Sequence, residues 1–239
     1  MSHHRPTRWA VAVSATLILL AGAFEVPAGD QAAAAGAKTL TGNFTFKTDE
    51  GLSVVPLPAK AWRKVLEDVT HEEMDMGTAT ESWKKITLFL LQTGAGGVSA
   101  LIEISANDSV LEVKDQAPDD FCYDRQLKWE YHKQISAITR DTLCWGVRTV
   151  AFPIRTESEA WPKLVEKLEK AGTPLPLETV ATQVRFFKSV SGKFLRINYY
   201  FLAPKGGKPW HWSKARTWAK VLLSRFIAGF DGKSVGGTQ

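Results

Sequence analysis

Thr179-Val180-Ala181-Thr182-Gln183-Val184-Arg185-Phe186-Phe187-Lys188, then Ser189-Val190-Ser191-Gly192, then Lys193-Phe194-Leu195-Arg196-Ile197-Asn198-Tyr199-Tyr200-Phe201-Leu202 is the stretch whose reading decides the fold. Two runs of period-two alternation around a Ser/Gly turn read as a β-hairpin, Val180 to Lys188 against Phe194 to Leu202. Across that turn Val180, Thr182, Val184 and Phe186 share a face with Leu195, Ile197, Tyr199 and Phe201, an almost wholly apolar set that must be the core side. The other face carries Ala181, Gln183, Arg185 and Phe187 with Phe194, Arg196, Asn198 and Tyr200. Two arginines and two amides therefore meet on one patch, and like charges across paired strands repel. Three outcomes follow: acids from the amino-terminal half neutralise Arg185 and Arg196, an anionic ligand does so with help from Gln183 and Asn198, or water solvates them.

The hairpin belongs to a longer one-sided segment. Residues 179 to 230 hold 10 basic side chains and no acid, whereas residues 37 to 178 hold 17 basic and 22 acidic ones, so the protein is dipolar although its overall charge is +5. Aromatics interleave with the charges, from Phe186 and Phe187 through Tyr199, Tyr200 and Phe201 to Trp210, Trp212, Trp218, Phe226 and Phe230. Anion-binding and membrane-surface proteins use this mixture. It is equally the composition of a hairpin and a core helix whose charges pair with the acidic half.

The amino terminus gives an address. Arg5 and Arg8 precede an apolar run from Val11 to Leu20, and small residues follow, the layout of a secretory signal. The run falls short of the about 20 apolar residues of a membrane span, and Glu25 and Asp30 close it, so no transmembrane anchor is expected after processing. Ala21-Gly22-Ala23 and Ala33-Ala34-Ala35 both suit a signal peptidase, which places cleavage between 23 and 37. In an exported chain the two cysteines, Cys122 and Cys144, are expected to form one disulfide. The competing reading, a reactive or metal-binding thiol, lacks C-x-x-C spacing, and the nearby Asp119, Asp120, Asp124 and Asp141 would discourage a thiolate. Nucleic acid suits the charge but not an exported address, and is not expected as a partner.

The remaining chain reads as one domain over 37–232, after a signal and linker at 1–36 and before a flexible tail at 233–239. Leu40 to Phe46 and Leu52 to Leu57 form a hairpin around Asp49-Glu50-Gly51. From Trp62, the residues Val65, Leu66 and Val69 fit a helical stripe, but the Pro56-Leu57-Pro58 lead-in favours an edge strand. His71 to Glu81 reads as a polar loop, and Trp83 to Leu91 with Val98 to Ser105 as strands joined by a glycine-rich turn. Another hairpin joins Leu127 to about Ala137 with Leu143 to Phe152, which leaves Cys122 bridging from outside it to its second strand. Helices follow at about 157–171 and 213–229, the first with Trp161, Leu164, Val165 and Leu168 on one side, the second capped by Ser213 and packing through Ala215, Trp218, Ala219, Leu222, Leu223, Phe226 and Phe230. The expected class is α+β: an antiparallel sheet built from hairpins, with the two helices covering one face.

Catalytic signatures are thin. His71-Glu72-Glu73 with Asp75 offers metal-type ligands, but consecutive residues on a loop do not turn inward together, and H-E-x-x-H is missing. Ser82-Trp83-Lys84-Lys85 matches S-x-x-K without its K-T-G or S-D-N companions and on a strand, so it reads as coincidence. No G-x-S-x-G elbow set between a strand and a helix is present to serve His71, His132 or His211; the one match in letters, Gly232 to Gly236, follows the last helix. Neither a catalytic residue, a metal nor a cofactor is expected.

Cys122 well upstream of Cys144-Trp145, with a late helix ending Ile227-Ala228-Gly229-Phe230-Asp231-Gly232, resembles a set of uncharacterised exported proteins of Gram-negative bacteria. The resemblance implies a periplasmic location and carries no activity. The functional expectation is an exported, non-enzymatic binding module of the cell envelope with a basic, aromatic carboxy-terminal face. Its expected partners are anionic lipid headgroups, an acidic glycan or another envelope protein. A periplasmic hydrolase using His71 or His132 and a structural partner of another envelope protein are the alternatives.

Overall fold

The structure, a computed structural model, describes residues 39–48, 51–75, 80–94, 97–107, 122, 128–136, 141–152, 159–176, 179–203 and 207–233, with backbone alone at 72–75, 80–83 and 129. All of them belong to the compact unit Gly36–Gln239. The segment expected to be a signal and the tail beyond Lys233 lie outside the described residues.

The strands are β1 (Thr39–Leu40), β2 (Asn43–Thr48), β3 (Gly51–Pro56), β4 (Trp62–Asp75), β5 (Thr80–Gly94), β6 (Gly97–Asn107), β7 (Lys128–Gln134), β8 (Thr142–Phe152), β9 (Thr179–Val190) and β10 (Lys193–Leu202); the helices are α1 (Ala160–Lys170) and α2 (Trp212–Phe230). Eight strands form one sheet in the order β1-β4-β5-β6-β10-β9-β8-β7, and β2 and β3 make a separate hairpin. Every pairing is antiparallel. The large sheet is therefore two meanders, β4-β5-β6 and β7-β8-β9-β10, joined where β6 pairs with β10. The α+β class expected from the pattern is the class observed.

The β9–β10 hairpin has the register that alternation demands, with Phe186 opposite Ile197, Val184 opposite Tyr199 and Thr182 opposite Phe201. Its turn is Ser191-Gly192, with φ of 51° and 83°. Positive φ at both central residues matches the right-handed twist of the flanking strands. The Asp141 carboxylate accepts from the Ser191 backbone N–H at 2.7 Å. Asn107, at the end of β6, donates to the Gly192 carbonyl at 2.7 Å and accepts from the Phe194 N–H at 2.8 Å, so the two meanders are pinned at the turn.

The helices cover opposite faces, not one. On the first face α2 lays Ala215, Ala219, Leu222 and Phe226 onto Val184, Phe186, Ile197 and Tyr199, and the β2–β3 hairpin closes the same core. Gly229 makes the close approach to β3 possible, because a Cβ there would meet the Val54 carbonyl oxygen at 1.9 Å. On the second face α1 packs Trp161, Leu164 and Leu168 against Phe89, Phe152 and Tyr200. A hairpin that is apolar on one face predicts one layer; the second layer arises because Phe89, Leu101, Tyr200 and Leu202, at the α1 end of the other face, are buried too.

Several boundaries move. The segment from Trp62 is a strand, as its lead-in suggests, but it continues through His71 to Asp75, and β5 resumes at Thr80. The stretch read as a polar loop is largely a ladder, with His71 opposite Lys84 and Glu72 opposite Trp83. Cross-strand pairing satisfies this backbone whatever its polarity, and polarity alone suggested a loop. The last helix begins one residue before Ser213 and is capped by His211, whose Nδ1 accepts from the Ser213 N–H at 3.4 Å. Cys122 and Cys144 form a disulfide, with Cα atoms 6.0 Å apart, from outside the β7–β8 hairpin to β8. No described helix is long and apolar enough to cross a membrane.

Candidate functional site

Arg185, Arg196, Gln183 and Asn198 do converge on one face. Asn198 stands between Glu103 of β6 and Arg185 of β9 in the sheet, and Gly146 of β8 lies beyond Arg185 in the same row, with no side chain to crowd it. Glu103 is 2% exposed and organises the patch. Its Oε2 accepts from Asn198 Nδ2 and from the Tyr200 hydroxyl, each at 3.0 Å. Arg196 lies 3.7 Å from the other carboxylate oxygen and donates to Ser105 Oγ at 3.1 Å. The Asn198 amide oxygen in turn accepts from Arg185 Nε at 2.8 Å and from Gln183 Nε2 at 3.1 Å, and Gln183 accepts from Arg148.

The electrostatics follow from this enclosure. Burial, and then the neighbouring Arg196 charge, lower the Arg185 pKa, while burial and then Glu103 hold the Tyr200 phenol well above its ordinary value. Glu103 is the residue that sequence reasoning passed over. The signal was present: it is the one acid in the apolar run Val98 to Ser105, and a buried charge demands partners. The network sits at the β6–β10 junction, so the acidic first half supplies the carboxylate and the basic second half the guanidinium groups.

Much of the remaining positive charge of residues 179–230 is engaged nearby. Lys188 pairs with Asp231 at 2.8 Å, and Lys193 donates to the Phe230 carbonyl at 2.9 Å, satisfying the carboxy-terminal end of α2. Arg216 pairs with Glu130 of β7, and Arg225 reaches the Asn43 amide oxygen at 3.4 Å. Lys208, Lys214 and Lys220 are exposed and make no ion pair among the described residues. Lys205 lies outside the described residues.

Lys214 and Lys220 lie on the amino-terminal half of α2 and Lys208 shortly precedes it, the same stretch in which Trp210, Trp212 and Trp218 gather. Trp210 stacks on Phe201 with centroids 4.1 Å apart and carries Lys214 Nζ 4.5 Å from its ring. Trp212 is flanked by Lys128 at 4.5 Å and Arg216 at 5.8 Å. Beside them a groove of about 490 Å³ is lined by Ser213, Lys214, Thr217, Trp218 and Val221. Val221 is 68% exposed, the most open large apolar side chain among the described residues.

Among the described residues, the histidines named as catalytic alternatives are not brought together. His71 is exposed on β4 and His132 exposed on β7, at opposite ends of the sheet order. His211 is engaged in capping α2. Glu72, Glu73 and Asp75 follow His71 in one strand, and no cluster of metal-type ligands occurs among the described residues. Ser82 and Lys85 share the strand β5, whereas the S-x-x-K pattern belongs to a helical turn. Comparison with family models, with characterised proteins and with solved structures finds no match to this chain.

Proposed function

We propose that the protein is an exported, periplasmic or secreted, non-enzymatic binding module of the cell envelope, and that it recognises an anionic partner through the basic, aromatic surface at the amino-terminal half of α2. The observation that carries this reading is the exposed Lys214 and Lys220 with Trp212 and Val221 on a helix without a single acid, and the exposed Lys208 with Trp210 just before it. Arg185 and Arg196, by contrast, are tied to Glu103 and Asn198 and serve the sheet. A disulfide suits an oxidising compartment.

The test is a titration of the protein with phosphatidylglycerol vesicles and with an acidic glycan at low and high salt, beside neutral vesicles. Binding to an anionic probe should weaken as salt rises, because exposed charges are screened over about 8 Å at physiological ionic strength. Replacing Lys208, Lys214 and Lys220 together by Gln should remove it without lowering the melting temperature. Absence of binding to either anionic probe at low salt refutes the proposal.

A further inference from the structure

Resting on that reading, we infer that the α2 groove is a saccharide subsite for a sugar acid. Lys214, Thr217, Trp218 and Val221 stand at helical positions i, i+3, i+4 and i+7, so they line one side of α2. They combine the three chemistries a uronic acid requires. The half-buried Trp218 indole and Val221 supply an apolar floor for the C–H face of a pyranose. Thr217 Oγ1 donates to the Ser213 carbonyl at 3.0 Å, which commits its proton and leaves its lone pairs to accept from a sugar hydroxyl. Ser213 Oγ, 2.7 Å from His211 Nδ1, adds a second hydroxyl at the helix start. Lys214, on the same rim, supplies the cation for a carboxylate. The groove, about 490 Å³, is shallow and open to solvent, so it offers one face to a sugar ring and does not enclose it.

Charge complementarity and ring geometry favour this occupant over a bilayer. Membrane-surface helices insert a continuous apolar face, but the apolar arc of α2 is packed on the sheet. The Trp210 and Trp212 rings already carry cations, and Trp210 also stacks on Phe201, so Val221 is the one large apolar side chain of the groove that faces water freely.

The experiment is calorimetric titration of the intact protein with tetragalacturonate, with its neutral methyl ester and with phosphatidylglycerol vesicles. The wild type, Lys214→Gln and Val221→Glu are compared; both positions are exposed, and unchanged melting temperatures verify that the fold is kept. Tetragalacturonate should bind, and the ester should bind about tenfold more weakly or not at all; Lys214→Gln should cost about tenfold or more in affinity, as expected for one charge-assisted hydrogen bond, and Val221→Glu about tenfold or more, by setting a like charge against the carboxylates. Equal binding by the wild type and both variants, or by acid and ester, overturns the subsite. Lysine-dependent binding to the vesicles without binding to the saccharide also overturns it, while leaving the anionic-surface module standing. Binding to none of the probes refutes both.

Discussion

The two faces of the β9–β10 hairpin are built from the same strands and are buried by different means. On one, Phe186, Ile197, Tyr199 and Phe201 meet α2, and Phe186 lies 5.1 Å from Phe226 between ring centroids. On the other, Gln183, Arg185, Arg196 and Asn198 meet Glu103. Apolar packing is additive and forgiving, since each contact has many substitutes. A buried polar network is conditional, because removing one member strands the rest in a poor solvent. The first face therefore supplies most of the stability, and the second specifies which strands lie side by side.

The largest effect should come from the apolar face. Phe226→Ala should lower unfolding free energy by about 3–5 kcal/mol in a denaturant titration, as a fully buried ring leaves a cavity. A loss below about 1 kcal/mol would mean that α2 is not integral to the core. Glu103→Ala should cost about 3 kcal/mol, because the carboxylate is buried and its donors lose their acceptor. The sharper measurement is a cycle with Arg196→Met: the double variant should be more stable than the sum of the single losses, with a coupling of about 1–3 kcal/mol. Strict additivity would show that the two groups do not sense each other.

Reduction of Cys122–Cys144, which flanks the polar face beside Phe187, should remove about 2–3 kcal/mol by restoring freedom to the unfolded chain across a separation of 22 residues. Thiol titration of the unreduced, unfolded protein should find no free thiol. The smallest effect concerns adjacent tyrosines on opposite faces. Tyr199 donates to the Pro56 carbonyl at 2.9 Å, and burial raises its pKa; Tyr200 is raised by burial and then by Glu103. A phenol whose folded pKa lies above its unfolded value stabilises the fold fully below about pH 10, and that contribution is lost as the unfolded phenol ionises above it. Melting temperature should therefore fall above about pH 10, and two of the four tyrosines should stay silent in a tyrosinate absorbance titration until the protein unfolds. Four tyrosines ionising while the fold persists would contradict the enclosure.

Alternation made the hairpin, its register and its two faces legible, because a one-residue slip of either strand would have turned its apolar set, Phe186 on β9 or Ile197 and Tyr199 on β10, onto the polar face. The cysteine pair was legible from its even count. Sheet order was not, since pairing between β6 and β10 joins segments with no local signal linking them. The polar ladder from His71 to Asp75 was missed because hydrophobicity reports burial and not pairing. Among the candidate site residues, Arg185 and Arg196 stood out by charge, but their partner Glu103 required knowing that β6 lies beside β10. The exposed lysines of α2 stood out only after the other cations had been matched to their partners.

The β6–β10 junction has a consequence for how the chain reaches this state. Ser105 and Arg196, hydrogen-bonded across it, are 91 residues apart in sequence. In a chain made from its amino terminus, β4, β5 and β6 can assemble as a meander long before β10 exists, and the free edge of β6 then waits with a buried-type carboxylate and an unsatisfied backbone row. Closure is a late, entropically costly event, so folding should be slow relative to proteins of local topology, and the open-edged half is the species most prone to pair with another chain. Glu103 gives that edge some protection, because two such edges meeting face to face would bring like charges into a dry interface.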